Sequence, residues 1–125
     1  MQIRTRIVDG VAVVELCGQF VSSDAAFKDR LLGLAHEGHT RVIIDLTHVS
    51  YMDSSGLGAL IAGYVASKDA GGALKLLHVP TRVQALLTIT HLATIFETFS
   101  EETAAVSSFS DGTWRSSRSP EPTRA

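Results

Sequence analysis

Two β-branched segments, Ile3 to Val8 and Val11 to Leu16, flank Asp9-Gly10, the two-residue composition favoured by hairpin turns with positive φ. The pattern predicts an opening antiparallel hairpin. After Gly18 the period changes: Ser22-Ser23-Asp24 offers N-capping side chains, and Phe27, Leu31, Leu34 and Ala35 follow at helical spacing until Gly38. Val42-Ile43-Ile44-Asp45-Leu46 has consecutive apolar positions, as expected of a central strand covered on both faces. Ser54-Ser55 then caps a second helix, in which Leu57, Leu60, Ile61, Tyr64 and Val65 recur as i, i+3, i+4, i+7 and i+8 before Gly71-Gly72 ends it. Leu74 to Val79 reads as a strand, and Pro80 suits the first turn of a helix carrying Val83, Leu86 and Leu87. Ile95 to Phe99 makes a short last strand, and Ser100-Glu101-Glu102 opens a final short helix with acids at its positive end.

The predicted order is ββαβαβαβα. Alternation of strands and helices after the hairpin implies a single α/β domain with a mixed, mostly parallel sheet and about four helices. A length of 125 residues suits one domain. Residues 1–109 are expected to form it, and 110–125, rich in Ser, Thr, Pro and Arg, to form a disordered tail. In open α/β sheets ligands meet the carboxyl ends of strands, which directs attention to the link from Leu46 to Gly56.

Composition narrows the function by exclusion. Eleven Lys and Arg against 13 Asp and Glu give a net charge of −2, without the basic excess that phosphate backbones demand, so no nucleic-acid partner is expected. Asp111 and Glu121 against Arg115, Arg118 and Arg124 put the tail at +1 and residues 1–109 at −3. The single cysteine, Cys17, follows the second predicted strand, has no internal partner, and is expected to be buried and inert. No signal peptide and no membrane span are read, so a soluble cytoplasmic protein is expected.

Chemistry concentrates in Tyr51-Met52-Asp53-Ser54-Ser55-Gly56-Leu57-Gly58, between the central strand and the second helix. Its Ser and Asp side chains suit a plain N-cap. The same place favours a phosphate, because a helix N-terminus presents free amides and positive potential. The nearest cations in sequence are Arg41 and Lys68, so no local Arg is on hand to clamp a phosphate on Ser54. Gly58, Ala59, Ala62, Gly63 and Ala66 form a small-residue stripe along the helix, read either as tight internal packing or as a partner surface.

Enzyme motifs fail on spacing. Gly56-Leu57-Gly58-Ala59-Leu60-Ile61 has Ile where a dinucleotide fingerprint needs its third glycine, and neither a P-loop nor a nucleophile elbow is present. His36-Glu37-Gly38-His39 is one residue short of H-E-x-x-H, and Gly38 would end the helix those ligands need, so no metal and no cofactor are expected. His48 is a remote candidate for a base acting on the Ser motif.

The segment Met52-Asp53-Ser54-Ser55-Gly56-Leu57-Gly58 resembles the phosphorylation motif of bacterial anti-sigma factor antagonists, members of the STAS domain family. The hairpin, Gly18, Val42 to Leu46 with Val49-Ser50-Tyr51, Gly71-Gly72, and Leu86-Leu87 through Leu92 to Phe96 extend the resemblance over residues 2 to about 108. It implies a switch rather than an enzyme. Family members bind, when unphosphorylated, an anti-sigma factor that is also a GHKL-type serine kinase, and so free the sigma factor; a PPM-type phosphatase resets them. The matching acceptor is Ser54, with Ser55 the less favoured neighbour. The partner surface maps by position to Asp53, Ser54, Ser55, Gly56, Leu57, Gly58, Ala59, Ala62 and Gly63, and onward to Tyr64, with a second region at Gly18 to Ser23. Gln19-Phe20-Val21 follows Gly18 where many antagonists carry an acidic residue. His91-Leu92 replaces the family's Gly-Leu, which strains His91 if that turn needs φ > 0. The alternative is a STAS subunit of a signalling scaffold or transporter accessory complex without direct sigma-factor regulation.

Overall fold

The structure is a computed structural model and describes residues 2–21 and 26–110. Its elements are β1 (Gln2–Val8), β2 (Val11–Phe20), α1 (Ala26–His36), β3 (Arg41–Met52), α2 (Ser54–Asp69), β4 (Ala73–Leu77), α3 (Thr81–Ile89), β5 (Thr98–Phe99) and α4 (Glu102–Ser110), in the predicted order. They build one five-stranded sheet, β1-β2-β3-β4-β5, antiparallel between β1 and β2 and parallel elsewhere. Asp9 and Gly10 take φ of 51° and 79°, the two positive values that a two-residue hairpin turn requires. The expected caps at Ser22-Ser23-Asp24 lie outside the described residues, as does the tail from residue 111 onward.

Period-2 alternation sorts the strands into two buried faces. Ala12, Val14 and Leu16 of β2, Val42, Ile44 and Leu46 of β3, and Leu74 and Leu76 of β4 join Phe27, Leu34, Leu57, Leu60, Val83 and Leu87 in the larger core, under α1, α2 and α3. Val11, Val13, Ile43 and Leu77 form a smaller core with Ala105, Val106 and Phe109 of α4. Both faces of β3 are therefore covered, which explains its unbroken apolar run. Lys75 enters this smaller core with only 5% of its surface exposed. Its ammonium donates to Ser108 Oγ at 2.8 Å, pairs with Glu97 at 3.3 Å and lies 4.3 Å from the Phe109 ring centroid. Arg6 holds the start of α4, donating to both carboxylate oxygens of Glu102, at 2.9 and 2.5 Å, and to Glu15 at 3.1 Å.

Several boundaries differ from the sequence pattern. Strands β2 and β3 outrun their apolar segments because they pair with each other as far as Phe20 and Met52, through register shifts between Glu15 and Cys17 and between Gly18 and Gln19. Cys17 thus lies inside β2 and is half-buried, not beyond the strand and fully enclosed. Strand β4 stops at Leu77, where His78 turns the chain with φ of 54°. Pro80 stands just before α3 as its N-cap, making no side-chain cap bond, while β5 shrinks to two residues behind a turn closed by Ile95 N–H on the Leu92 carbonyl.

Candidate functional site at the start of the second helix

The extension of β3 reduces the expected link to one residue, Asp53, with φ −107° and ψ −175° between strand and helix. Asp53, not Ser54 or Ser55, is the N-cap. Its Oδ1 accepts from Gly56 N–H at 2.9 Å and from Ser55 Oγ at 2.5 Å, and its carbonyl accepts from Leu57 N–H at 2.9 Å. The Ser55 hydroxyl, and after it the Gly56 amide, hold the Asp53 carboxyl below the usual range for aspartate, against the opposing effect of burial. Asp53 is consequently ionised at neutral pH.

Gly56 is dictated by the backbone of β2. A Cβ there would lie 2.0 Å from the Phe20 carbonyl oxygen and 2.8 Å from its carbon, so only glycine lets the first turn of α2 pass the end of β2. With Met52, Gly56 and Leu57 buried, the first turn is fixed against the core and Ser54 faces solvent. Ser55 is half-buried and committed to Asp53. Among the described residues, none forms a hydrogen bond with the Ser54 hydroxyl. The two adjacent serines are therefore not equivalent.

The cations nearest in sequence lie elsewhere. Arg41 stands at the other end of β3, its guanidinium against Gly10, and Lys68 sits 5.5 Å over the Tyr64 ring near the end of α2. The fold instead brings Arg82, in the first turn of α3, to the carboxyl end of β3, where its Nη1 donates to the Ser50 carbonyl at 3.0 Å. Sequence reading missed Arg82 because only the tertiary crossing of α3 over β3 places it there. His48 is exposed and four residues before the end of β3, about 13 Å of extended chain from Met52, so it is out of proton-transfer range of the serines. Among the described residues, no three His, Cys, Asp or Glu side chains cluster to hold a metal. None of the described helices is long and apolar enough to cross a membrane.

The small-residue stripe divides. Gly63 is buried, where a Cβ would meet Leu31 Cδ1 at 2.7 Å, so it serves packing between α1 and α2. Gly58, Ala62 and Ala66 are exposed, and a Cβ on Gly58 would touch nothing within 4 Å. These residues floor a groove of about 550 Å³ between α1 and α2, walled by Phe27, Leu31 and Leu32.

Comparison with known proteins accounts for this arrangement. The sequence profile described as STAS domain matches residues 2–105. The chain belongs to the STAS domain family. A relative of this STAS domain is the anti-sigma-B factor antagonist of Bacillus subtilis (strain 168), 36% identical over 85 residues, which are 67% of this chain and 77% of that protein. Among solved structures, an anti-sigma factor antagonist from Thermotoga maritima superposes with a TM-score of 0.80 at 21% identity, covering 86% of this chain and 94% of that one. The Bacillus cell fate determinant SpoIIAA in its phosphorylated form gives 0.67 at 19% identity, covering 86% and 99%. At these identities the structural matches establish the STAS fold of the chain.

Proposed function

We propose that this STAS domain is an anti-sigma factor antagonist controlled by phosphorylation of Ser54. Unphosphorylated, it binds an anti-sigma serine kinase of the GHKL type through Asp53 to Gly58 and the adjoining Ala59 and Ala62, and so releases the sigma factor; Gly63, closed against Leu31, lies beneath that surface. The kinase transfers phosphate to Ser54, the complex is lost, and a PPM-type phosphatase restores the binding form. The protein acts in the cytoplasm as a binding switch and carries out no catalysis of its own. The observation that carries this reading is the difference between the two serines: Ser54 presents an exposed hydroxyl at a rigid helix N-terminus, while Ser55 is tied to Asp53.

Physical consequences follow from the site. A phosphate adds about −1.5 to −2 charge at the positive end of α2, where the helix dipole favours it, so the fold survives. That charge stands next to ionised Asp53. Covered by a docked partner it must be desolvated, and a buried unpaired charge costs about 3–5 kcal/mol, roughly two to four powers of ten in affinity.

Incubation with the serine kinase encoded nearest to this chain and Mg-ATP should place one phosphate on Ser54, read by mass spectrometry, and Ser54→Ala should abolish it. Undiminished labelling of Ser54→Ala would sink the assignment. Ser54→Asp should weaken kinase binding and leave the circular dichroism spectrum unchanged; collapse of the spectrum would make Ser54 a structural residue instead.

A further inference from the structure

We propose that Asp53 is the positioning residue that makes phosphorylation selective, its carboxylate holding the Ser55 hydroxyl and so leaving Ser54 as the acceptor. The inference rests on the reading of this turn as a phosphorylation site. Access alone does not separate the two serines. Ser55 stands at i to Gly58, Ala59 and Ala62 at i+3, i+4 and i+7 of α2, and lines with them the groove between α1 and α2. It therefore faces the same side as the proposed partner surface, one residue from Ser54. A kinase docked there meets both hydroxyls.

What differs is the hydrogen bonding. Ser55 Oγ donates its one proton to Asp53 Oδ1 at 2.5 Å, and the same carboxylate oxygen accepts from Gly56 N–H at 2.9 Å. The backbone thus fixes the carboxylate that holds the hydroxyl. Phosphoryl transfer to a serine forms an Oγ–P bond, breaks the bond from the γ-phosphorus to the oxygen that leaves with ADP, and sends the hydroxyl proton to a base of the kinase. At Ser55 that proton points to Asp53 and away from an incoming base. Asp53 is itself a weak base for the step, because the Ser55 hydroxyl and the Gly56 amide hold its carboxyl below the usual range. The incoming phosphate oxygens would also arrive beside that carboxylate, like charge against like. Among the described residues, none engages the Ser54 hydroxyl, so its proton can turn to the base that the kinase presents.

The test uses the full chain, the serine kinase encoded nearest to it and Mg-ATP, and reads the ratio of phosphate on Ser55 to phosphate on Ser54 by phosphopeptide mass spectrometry. Weaker docking leaves this ratio unchanged. Asp53→Gly caps a helix nearly as well as aspartate but offers no side-chain acceptor, and should raise the ratio at least tenfold. Asp53→Asn keeps the acceptor oxygen and should keep the parent's ratio. In a Ser54→Ala background, Asp53→Gly should carry phosphate on Ser55 and Asp53→Asn should carry none. If Asp53 is a structural cap alone, Asp53→Gly lowers or abolishes both labels together. That result overturns the proposal, as does an equal rise of the ratio in Asp53→Asn. If Asp53→Gly is unfolded by circular dichroism, NMR of the parent decides: a Ser55 hydroxyl proton protected from exchange with water supports the tie, and a rapidly exchanging one overturns it. A parent without phosphate on either serine fails both this inference and the proposed function, whereas phosphate on Ser54 with an unmoved ratio fails this inference alone.

Discussion

Replacement of Gly56 by alanine tests whether β2 and α2 are packed as tightly as the structure requires. The new methyl carbon would start 2.0 Å from the Phe20 carbonyl oxygen, and 3.3 Å from Met52 Cγ. Ordinary contact begins near 3.4 Å, so α2 or the end of β2 must shift by more than 1 Å, and the obstacle is backbone. Overpacking that forces backbone to shift costs about 1–3 kcal/mol, occasionally more. Alanine recovers about 1 kcal/mol through its helix propensity. With a clash against backbone at the upper end of that range, a net loss of about 2 kcal/mol is expected, which for a domain of this size lowers Tm by roughly 9 °C. Gly58→Ala supplies the internal control: it makes the same chemical change in the same helix, meets nothing within 4 Å, and should stabilise by up to about 1 kcal/mol. Urea melts of the parent and both variants decide the matter. Equal shifts of the two midpoints, or a stable Gly56→Ala, would refute the close approach. Any folded Gly56→Ala should also be phosphorylated more slowly, because the shift displaces the turn that presents Ser54.

His91 has φ of 62°, with its N–H on the Thr88 carbonyl and the Leu92 N–H on the Leu87 carbonyl, so His91→Gly should raise stability by about 0.5–1 kcal/mol in a urea melt. Ser55→Ala removes the hydroxyl that Asp53 accepts and should cost about 0.5–1.5 kcal/mol while Ser54 remains phosphorylated, as read by phosphopeptide mapping. The Glu102 carboxyl is held below its ordinary value chiefly by the hydrogen bond from Arg6, and that of Asp53 by Ser55. Folded values below unfolded ones mean that this stabilisation is present above the ordinary carboxylate range, near pH 4, and disappears as pH falls through the folded values. The urea midpoint should therefore hold from pH 7 to about 5 and drop in acid, with a shallower drop in Arg6→Leu.

Local and periodic information was legible in the sequence. The Asp9-Gly10 turn, the helical spacing from Leu57 to Tyr64 and the doubly covered Val42 to Leu46 each depend on near neighbours or on a single repeating period, and each stands where the pattern puts it, while Val65, the last of the helical repeat, is exposed. The strain at His91 was readable as well, from a missing glycine. Illegible features depend on residues far apart in the chain. Strand β3 extends over the polar Thr47 and His48 because it carries an extra residue at each of two register shifts and so keeps pairing with β2. Asp53 displaces the serines as cap because the strand ends one residue before it. Arg82 reaches the Ser50 carbonyl of β3 across 32 positions of sequence, and Gly56 is fixed by a carbonyl 36 positions earlier. No spacing rule encodes either.

The rigidity of the Ser54 turn decides how a phosphate there can act. Unwinding the first turns of α2 would expose Met52, Leu57 and Leu60, each worth about 1.5–3 kcal/mol when buried. It would also release the Asp53 cap, worth about 1 kcal/mol. A phosphate has no comparable energy to spend against these terms, since the helix dipole rewards an anion at that end by about 0.3–1 kcal/mol. Both effects hold the turn in place, so the phosphate of the proposed switch would not act by refolding the domain. To move a partner from 99% bound to 1% bound requires about 5.5 kcal/mol. Burying one unpaired charge supplies about 3–5 kcal/mol of this, and repulsion from a facing acid on the partner can supply the remainder. In the proposed switch, control would therefore reside at the interface: a kinase residue opposite Ser54 that is changed from acidic to basic should restore binding of Ser54→Asp, with no change in either free protein.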